Sequence, residues 1–343
     1  DLHSFPTRRS SDLGNYKEDN IMAEHFDLII IGSGPGGLAA ALYAARGRMK
    51  TLVLEKGQNG GQAAITHLIE NYPGSIEDPT GPKLTHRMLE QAKSFGAEIR
   101  KDEVLDVDFS GKEKVVKCKN GEYTAKAVVI ATGATPRKLD APGIRELSGK
   151  GISYCATCDA DFFKDLEVYV IGGGNSAVEE AIYLTKFARQ VHIVHMLDHF
   201  QCESIVLEKA KAVPNLDIRI RTVVEEVKGD GILESIVFKN LDTNEVYEVE
   251  ADEEDGTMGL FIFIGYQPQT ELFKGKVEID QYGYIVAGES TETNVPGVFV
   301  AGDCRVKEVR QVVTATADGA VAAIMAEKYI RDRKSTRLNS SHW

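Results

Sequence analysis

Long hydrophobic runs are missing from this chain. No stretch approaches the roughly 18–20 apolar residues that a helix needs to cross a bilayer, so a helical membrane span is excluded. Cysteine is scarce, with five in 343 residues. That is too few for a secreted disulfide scaffold and points to a reducing cytosol. Positive charge is in deficit: 40 Lys and Arg face 52 Asp and Glu, a formal net charge of −12. Such a balance argues against nucleic acid as the main partner and against a membrane-surface role. There is no short-period repeat, which excludes a solenoid.

What is present is apolar material for substantial cores, 43% of residues, with a charged fraction of 27% that is ordinary for a soluble protein. The length makes two domains the natural expectation. The ends stand apart. Residues 1–13 (DLHSFPTRRSSDL) and 334–343 (KSTRLNSSHW) are rich in Ser and Arg and lack apolar periodicity. They resemble translated adapter sequence more than protein. Residues 1–21 and 332–343 are therefore expected to be non-native or disordered tails, with Met22 the expected start. No apolar segment follows the early basic residues, so they do not read as a signal peptide.

The chain is organised around Tyr154-Cys155-Ala156-Thr157-Cys158-Asp159. A C-x-x-C spacing lets one thiolate attack while the other resolves. Asp159 is placed to supply the proton that a departing thiolate needs. A zinc half-site and two inert buried thiols are the other readings of the pair. No second Cys/His pair at ligand spacing accompanies it, so no metal is expected.

Two glycine turns flank the dithiol: Gly32-Ser33-Gly34-Pro35-Gly36-Gly37 upstream and Gly172-Gly173-Gly174-Asn175-Ser176-Ala177 downstream. The first follows an apolar run, Phe26 to Ile31, that reads as a buried parallel strand. An Ala-rich helix from Leu38 to Arg46 comes next, then a strand from Thr51 to Leu54 ending at Glu55. Strand, G-x-G-x-x-G, helix, strand and acid together form a dinucleotide fingerprint. Gly32 permits the tight turn, Gly34 lets the backbone approach a pyrophosphate, and Gly37 lets helix and strand pack closely. The phosphates would sit on the helix N-terminus, and Glu55 would hydrogen-bond a ribose.

Further along, Leu84 to Phe95 is expected as an amphipathic helix. Glu98 to Phe109, Val115 to Lys119 and Glu122 to Ala125 are expected as a small meander turning at Asn120-Gly121. Ala127 to Ile130 reads as a strand ending in Ala131-Thr132-Gly133, and Pro136 to Lys150 as a linker. The second unit repeats the order: strand Leu166 to Ile171, glycine turn, helix Ala177 to Phe187, strand Val191 to His195. Ser204 to Ala212 reads as a helix, and Leu216 to Arg221 and Gly231 to Lys239 as strands. Glu248 to Asp255 reads as an acidic loop and Gly259 to Gly265 as a buried strand. After Pro268 the chain is expected to return to the first domain, through a short strand at Tyr284 to Val286. A strand ending at Asp303 and a helix from Thr314 to Arg331 complete it. The fold class is α/β, with two Rossmann-like dinucleotide-binding domains.

These residues together resemble the low-molecular-weight thioredoxin reductases, two-dinucleotide-binding flavoproteins. The likeness covers Phe26 to Arg331. It is specific at Gly32 to Gly37, Gly60-Gly61-Gln62, Glu70 to Gly74, Ala131-Thr132-Gly133, Cys155 to Asp159, Gly172 to Ala177, and Gly302-Asp303 followed by Arg310-Gln311-Val312. The resemblance implies an FAD domain, residues 22–138 and 268–331, with a nicotinamide-type domain, 139–267, inserted within it. FAD would lie on Ser33 to Gly36, Glu55 to Gln62 including Gly61, and Asn71. Val104 and Gly133 would line the same site. Asp303 would meet the ribityl–phosphate part, and Arg310, Gln311 and Val312 the flavin end. The nicotinamide nucleotide would use Gly172, Gly174, Asn175, Ser176 and Ala177. Cys158 would contact the flavin, Cys155 would attack a thioredoxin-like protein, and Asp159 would serve as acid and base. Cys118, Cys202 and Cys304 would be free structural thiols. The family also implies a cytoplasmic homodimer whose domains rotate, with hinges near Pro136 to Gly143 and Gly265 to Thr270.

One stretch departs from the family pattern. NADPH-using members carry H-R-R-D-x-F-R where this chain reads His195-Met196-Leu197-Asp198-His199-Phe200-Gln201. A 2′-phosphate is a dianion best held by bidentate guanidinium groups. All three arginines are replaced, and each lost charge-assisted contact costs roughly 1.5–3 kcal/mol. An NAD-type site would place Asp or Glu at this strand end, where His195 stands. The pocket thus fits neither NADPH nor NADH well. The pattern resembles ferredoxin-linked flavin thioredoxin reductases, with reduced ferredoxin as donor. An acidic ferredoxin would need a basic patch, for which Arg305, Lys307 and Arg310, or Lys209 and Lys211, are candidates. A flavin/dithiol redox sensor is the non-enzymatic alternative.

Overall fold

The computed structural model describes residues 23–66, 69 and 71–340, with the side chains of 334–340 left aside. The expected tail at 1–21, Met22 and Glu70 lie outside the described residues. A first sheet is built from β1 (Glu24–Ile31), β2 (Thr51–Glu55), β3 (Glu98–Lys101), β4 (Val104–Asp108), β5 (Lys114–Cys118) and β6 (Glu122–Ile130). Their order is β3-β2-β1-β6-β5-β4. The strands β3, β2, β1 and β6 run parallel, and β5 and β4 extend the sheet antiparallel. Strand β1 is apolar on both faces because both are covered. Leu28 and Ile30 pack with the alanines of α1 (Pro35–Arg46), and Ile29 and Ile31 with Leu54, Val116 and Ile130. A further helix, α2 (Gly81–Ser94), lies beyond β2.

The chain leaves this unit through β7 (Ala134–Pro136) and passes α3 (Ile144–Leu147), β8 (Ile152–Ser153) and α4 (Ala156–Asp159). The second sheet adds β9 (Glu167–Ile171), β10 (Gln190–Val194), β11 (Leu216–Arg219) and, after the β12–β14 segment, β15 (Gly259–Ile262). It is parallel throughout, in the order β11-β10-β9-β15-β8. Val168 and Val170 face α5 (Asn175–Leu184) and α6 (Ser204–Lys211). Tyr169 and Ile171 face an antiparallel meander of β12 (Thr222–Lys228), β13 (Ser235–Asn240) and β14 (Val246–Glu250).

Strand β16 (Tyr266–Pro268) pairs antiparallel with β7, so the outgoing and returning crossings form one ribbon. β17 (Val298–Val300) then pairs with β6 at Val128 to Ile130. Helix α7 (Val312–Ser340) closes the first sheet beside α1, burying Ala322, Ala323 and Ala326. The second Rossmann-like unit is thus inserted within the first.

Several local expectations are corrected. The segment Glu98 to Phe109 breaks at Asp102: its first part joins the parallel sheet and its second the antiparallel extension. Residues 122–130 are one long strand, because β1 pairs along its length. β12 was not expected, and the strand expected from Gly231 begins only at Ser235. Residues 248–255, expected as an acidic loop, begin inside β14, whose acids point outward from an exposed edge. Tyr284 to Val286 forms an isolated bridge rather than a strand. Residues 332–340, within the segment expected as a non-native or disordered tail, continue α7 as backbone helix.

Candidate active site

At two positions of the first glycine turn, Gly32 and Gly37, the backbone leaves no room for a Cβ. Gly32 has φ of 104°, and a Cβ there would lie 2.4 Å from the Ala131 carbonyl oxygen. A Cβ on Gly37 would lie 2.0 Å from Gly32 O, so turn and helix are in contact. Gly34 caps α1, and Pro35 fills a first-turn position that needs no N–H partner. Ser33 donates from N–H and Oγ to Glu55 Oε2, at 2.9 and 3.0 Å. Gly57 N–H donates to Glu55 Oε1 at 2.8 Å. The acid at the strand end therefore ties the two loops together. Gly60 N–H reaches Ser33 O, and a Cβ on Gly61 would lie 3.1 Å from Gly34 Cα. Gln62 is exposed beside them. Val104 opens β4, half-buried on the core around Phe26 and Leu54.

The returning segment closes on the same place. A Cβ on Gly319 of α7 would lie 2.1 Å from Gly36 O, so α7 abuts the start of α1. This brings in the turn Gly302–Cys304. Asp303 Oδ1, Arg310 Nε and Asn59 Oδ1 are buried there without a protein partner. Burial pushes the Asp303 carboxyl above its usual range, although the charges of Lys307 and Arg310 pull it down. The Arg310 guanidinium lies 4.2 Å from the centroid of the Tyr284 ring. Gly133, at φ of 70°, accepts from Gln269 N–H where the two crossings meet. Val312 packs beside Ala63 and Leu84.

Cys155 and Cys158 are joined as a disulfide, with Cα atoms 5.3 Å apart. Cys155 caps α4, and the Cys158 and Asp159 N–H groups donate to Cys155 O. Ser153, which sequence reasoning missed, is the organiser of this loop. Its Oγ donates to Asp159 Oδ2 at 2.6 Å and accepts from Cys155 N–H at 3.1 Å. Asp159 is thereby tied to the backbone of the dithiol loop through Ser153. Thr157, between them, accepts from Gln311 Nε2 at 3.2 Å. Gln311 Oε1 in turn accepts from Asn71 Nδ2 at 3.0 Å. Tyr266 OH donates to Tyr154 O at 3.3 Å from the returning crossing. The fold thus brings the dithiol loop against Gln311 and Asn71 of the first unit.

At the second glycine turn Gly172 and Gly173 are packed against the chain, while Asn175 and Ser176 are exposed. Gly172 has φ of 143°, and a Cβ there would lie 2.4 Å from Phe263 O. A Cβ on Gly173 would lie 2.4 Å from the His195 ring. Gly174 caps α5, Ser176 is exposed on its first turn, and Ala177 is buried. Gln201 N–H donates to Gly173 O, and Glu203 N–H to Asn175 Oδ1 at 2.7 Å. Asp198 and His199 pair at the rim, and Met196 is 55% exposed. Positions 196, 197 and 201 carry no cation; Arg221, whose N–H donates to Leu197 O, stands beside the loop with its guanidinium paired to Asp242.

Arg305 and Lys307 do not form an outward basic patch. Both turn inward to Asp318, with side-chain exposures of 14% and 7%. Asp318 was also missed; its signal is a lone carboxylate in the Ala-rich run of α7. Cys118, Cys202 and Cys304 are free thiols. Burial pushes the Cys118 thiol up to about 12 and that of Cys304 up to about 11, which keeps both protonated and unreactive. Among the described residues no group of three or more His, Cys, Asp or Glu could hold a metal ion, and no helix is long and apolar enough to cross a membrane.

Two parallel dinucleotide folds with a disulfide between them define a disulfide oxidoreductase. Comparison with known proteins agrees. The family model "Pyridine nucleotide-disulphide oxidoreductase" matches residues 26–319. A thioredoxin reductase of Peptoclostridium acidaminophilum is 58% identical over 309 residues, covering 90% of this chain and 98% of that protein. One from Bacillus subtilis is 43% identical over 313 residues, covering 91% and 96%. Among solved structures, the thioredoxin reductase from Streptococcus pyogenes superposes with a TM-score of 0.83 at 39% identity, covering 90% and 99%. That from Lactococcus lactis, described as the FR conformation, is 41% identical with the same coverage, yet its TM-score is 0.62. The chain belongs to the thioredoxin reductases of the pyridine nucleotide-disulphide oxidoreductase family. FAD is this family's cofactor, and the residues present fit it. Asp303 Oδ1 and Arg310 Nε are buried with no protein partner, and the space over Gly34 is open, as a cradle for a dinucleotide would be.

Proposed function

We propose that this chain is an FAD-dependent enzyme that reduces the disulfide of a thioredoxin-like protein through Cys155 and Cys158. The observation that carries this is the Cys155–Cys158 disulfide in a loop hydrogen-bonded, through Thr157, to Gln311 of the first unit. Gly32, Ser33, Gly34, Pro35, Gly36, Glu55, Gly61, Gln62, Asn71, Val104, Gly133 and Asp303 would hold FAD, with Arg310, Gln311 and Val312 at its flavin end. When bound, FAD would supply the electron pair that reduces the disulfide.

Each turnover consumes two electrons from the donor and two protons from solvent, and the chain's own groups pass them on. Two electrons break the Cys155–Cys158 bond and leave two sulfurs, one protonated with help from Asp159. The Cys155 thiolate attacks the acceptor disulfide, forming a mixed disulfide and expelling one acceptor thiolate. Cys158 attacks Cys155 Sγ, which restores the Cys155–Cys158 bond and releases the acceptor as a dithiol. Ser153 keeps Asp159 aimed at this site through its 2.6 Å hydrogen bond. For the acceptor to reach Cys155 the second unit must turn about the β7–β16 ribbon. The low TM-score against the more similar Lactococcus structure supports two placements of the same parts.

Reduced ferredoxin is the donor we favour, because the loop at 196–201 offers a 2′-phosphate no cation and places Asp198 nearby. With Arg305 and Lys307 buried, the exposed Lys209 and Lys211 of α6 are the candidates kept for such a partner, Lys211 being already paired with Glu208. A weakened NAD(P)H site is the second reading, favoured by the intact Gly172, Gly174 and Ala177. A homodimer in the cytoplasm completes the proposal.

The test is turnover with purified thioredoxin and a choice of reduced ferredoxin, NADPH or NADH. Multiple turnovers with ferredoxin, and slow flavin bleaching by NADPH, are expected. A single stoichiometric burst would identify a redox sensor instead. Rapid bleaching at micromolar NADPH would overturn the donor assignment.

A further inference from the structure

Asp318 lies six residues into α7, 9% exposed, and its carboxylate is saturated. Oδ1 accepts from Arg305 Nη2 at 2.7 Å. Oδ2 accepts from Arg305 Nε at 2.9 Å, Lys307 Nζ at 2.8 Å and Gly302 N–H at 3.0 Å. One carboxylate thus pairs with two buried cations, leaving one positive charge in excess, and pins the residue before Asp303. Asp303 itself keeps a buried oxygen without a partner. It also feels the Lys307 charge directly, as the largest influence opposing its burial. Two carboxylates therefore stand within reach of one buried ammonium, and Asp318 alone is hydrogen-bonded to it.

We propose that Asp318 is a positioning residue for the cofactor: by holding Arg305 and Lys307, it keeps Asp303 from becoming their counter-ion and leaves its carboxylate facing the FAD cleft. This rests on the assignment of Asp303 to FAD made above. The physical reason is that an uncompensated buried cation recruits the nearest anion. With Asp318 neutral, Lys307 would pull Asp303 out of the cleft. An Asn amide keeps one acceptor oxygen where the carboxylate offers two, so Gly302 N–H, Arg305 and Lys307 would compete for it.

The experiment measures FAD affinity by titrating deflavinated protein, alongside the thermal midpoint with and without FAD. D318N should bind FAD about tenfold more weakly or worse, as expected for a lost charge-assisted anchor. D318N/K307M removes charge and counter-charge together and should recover most of that affinity. A D318N variant with weakened FAD and no recovery on adding K307M would overturn the inference, since Asp318 would then be a structural pin only. So would unchanged affinity in D318N. If D318N does not fold, the double variant decides: near wild-type affinity supports the inference, and weak affinity overturns it. Failure of both to fold also overturns it. D303N separates the two assignments. Weak FAD binding in D303N with normal binding in D318N defeats this inference alone. Normal binding in D303N defeats the assignment of Asp303 to FAD, and the inference with it.

Discussion

Gln311 Nε2 donates to Thr157 Oγ1 at 3.2 Å, joining the residue between the two cysteines to the start of α7. Asn71 fixes the amide from the other side. The contact holds the dithiol loop on the first unit and must break if the second unit turns. T157V keeps the shape and removes the acceptor. One neutral hydrogen bond is worth about 0.5–1.5 kcal/mol, so the balance of placements should shift roughly two- to tenfold. Alkylation of the reduced cysteines by iodoacetamide, followed by mass spectrometry, should accelerate by that factor. An unchanged rate would show that the bond has no hold on the loop.

The two cysteines should differ in what they trap. C158S leaves Cys155 able to attack but nothing to resolve, so a stable mixed disulfide with the thioredoxin-like acceptor should accumulate. C155S should trap far less. Both should retain bound flavin and lose turnover by several orders of magnitude. Equal trapping by both variants, read on a non-reducing gel, would reverse the assigned roles.

Restoring the arginines tests the second nucleotide turn. Met196 is exposed, and the loop backbone is already anchored by Gln201 N–H on Gly173 O. M196R/L197R/Q201R should therefore lower the KM for NADPH at least about tenfold, each guanidinium contact being worth roughly 1.5–3 kcal/mol. NADH should gain little. A triple variant with no preference for NADPH would mean that the turn cannot seat the adenosine at all.

Between the second sheet and its meander, His192 Nε2 lies 2.7 Å from Glu167 Oε1. That bond, with a second from Tyr169 OH, holds Glu167 down at about 2 against an ordinary 4.5. A depressed acid stabilises the folded state above its unfolded value. The contribution should be complete above about pH 4.5 and be lost as pH falls toward about 2. The difference in thermal midpoint between wild type and E167Q should shrink across that window. A constant difference would mean that the pair does not stabilise the fold.

The linear order of residues determined the architecture: apolar runs followed by G-x-G-x-x-G turns leave few alternatives to parallel strands with phosphate-binding helices. It also determined the dithiol, because Cys155 and Cys158 are close in sequence and need no fold to meet. Local boundaries were legible only where periodicity dominates. Residues 98–109 carry the same β-forming pattern in two strands that lie at opposite ends of the strand order, and the pairing partner alone divides them. The tertiary structure decided which groups meet across long separations. It set Gln311 against Thr157, Ser153 under Asp159, and Asp318 between Arg305 and Lys307. It also turned two expected docking cations into a buried ion cluster. The reason is physical: a charge's meaning lies in what surrounds it, and surroundings are made by distant segments packing together.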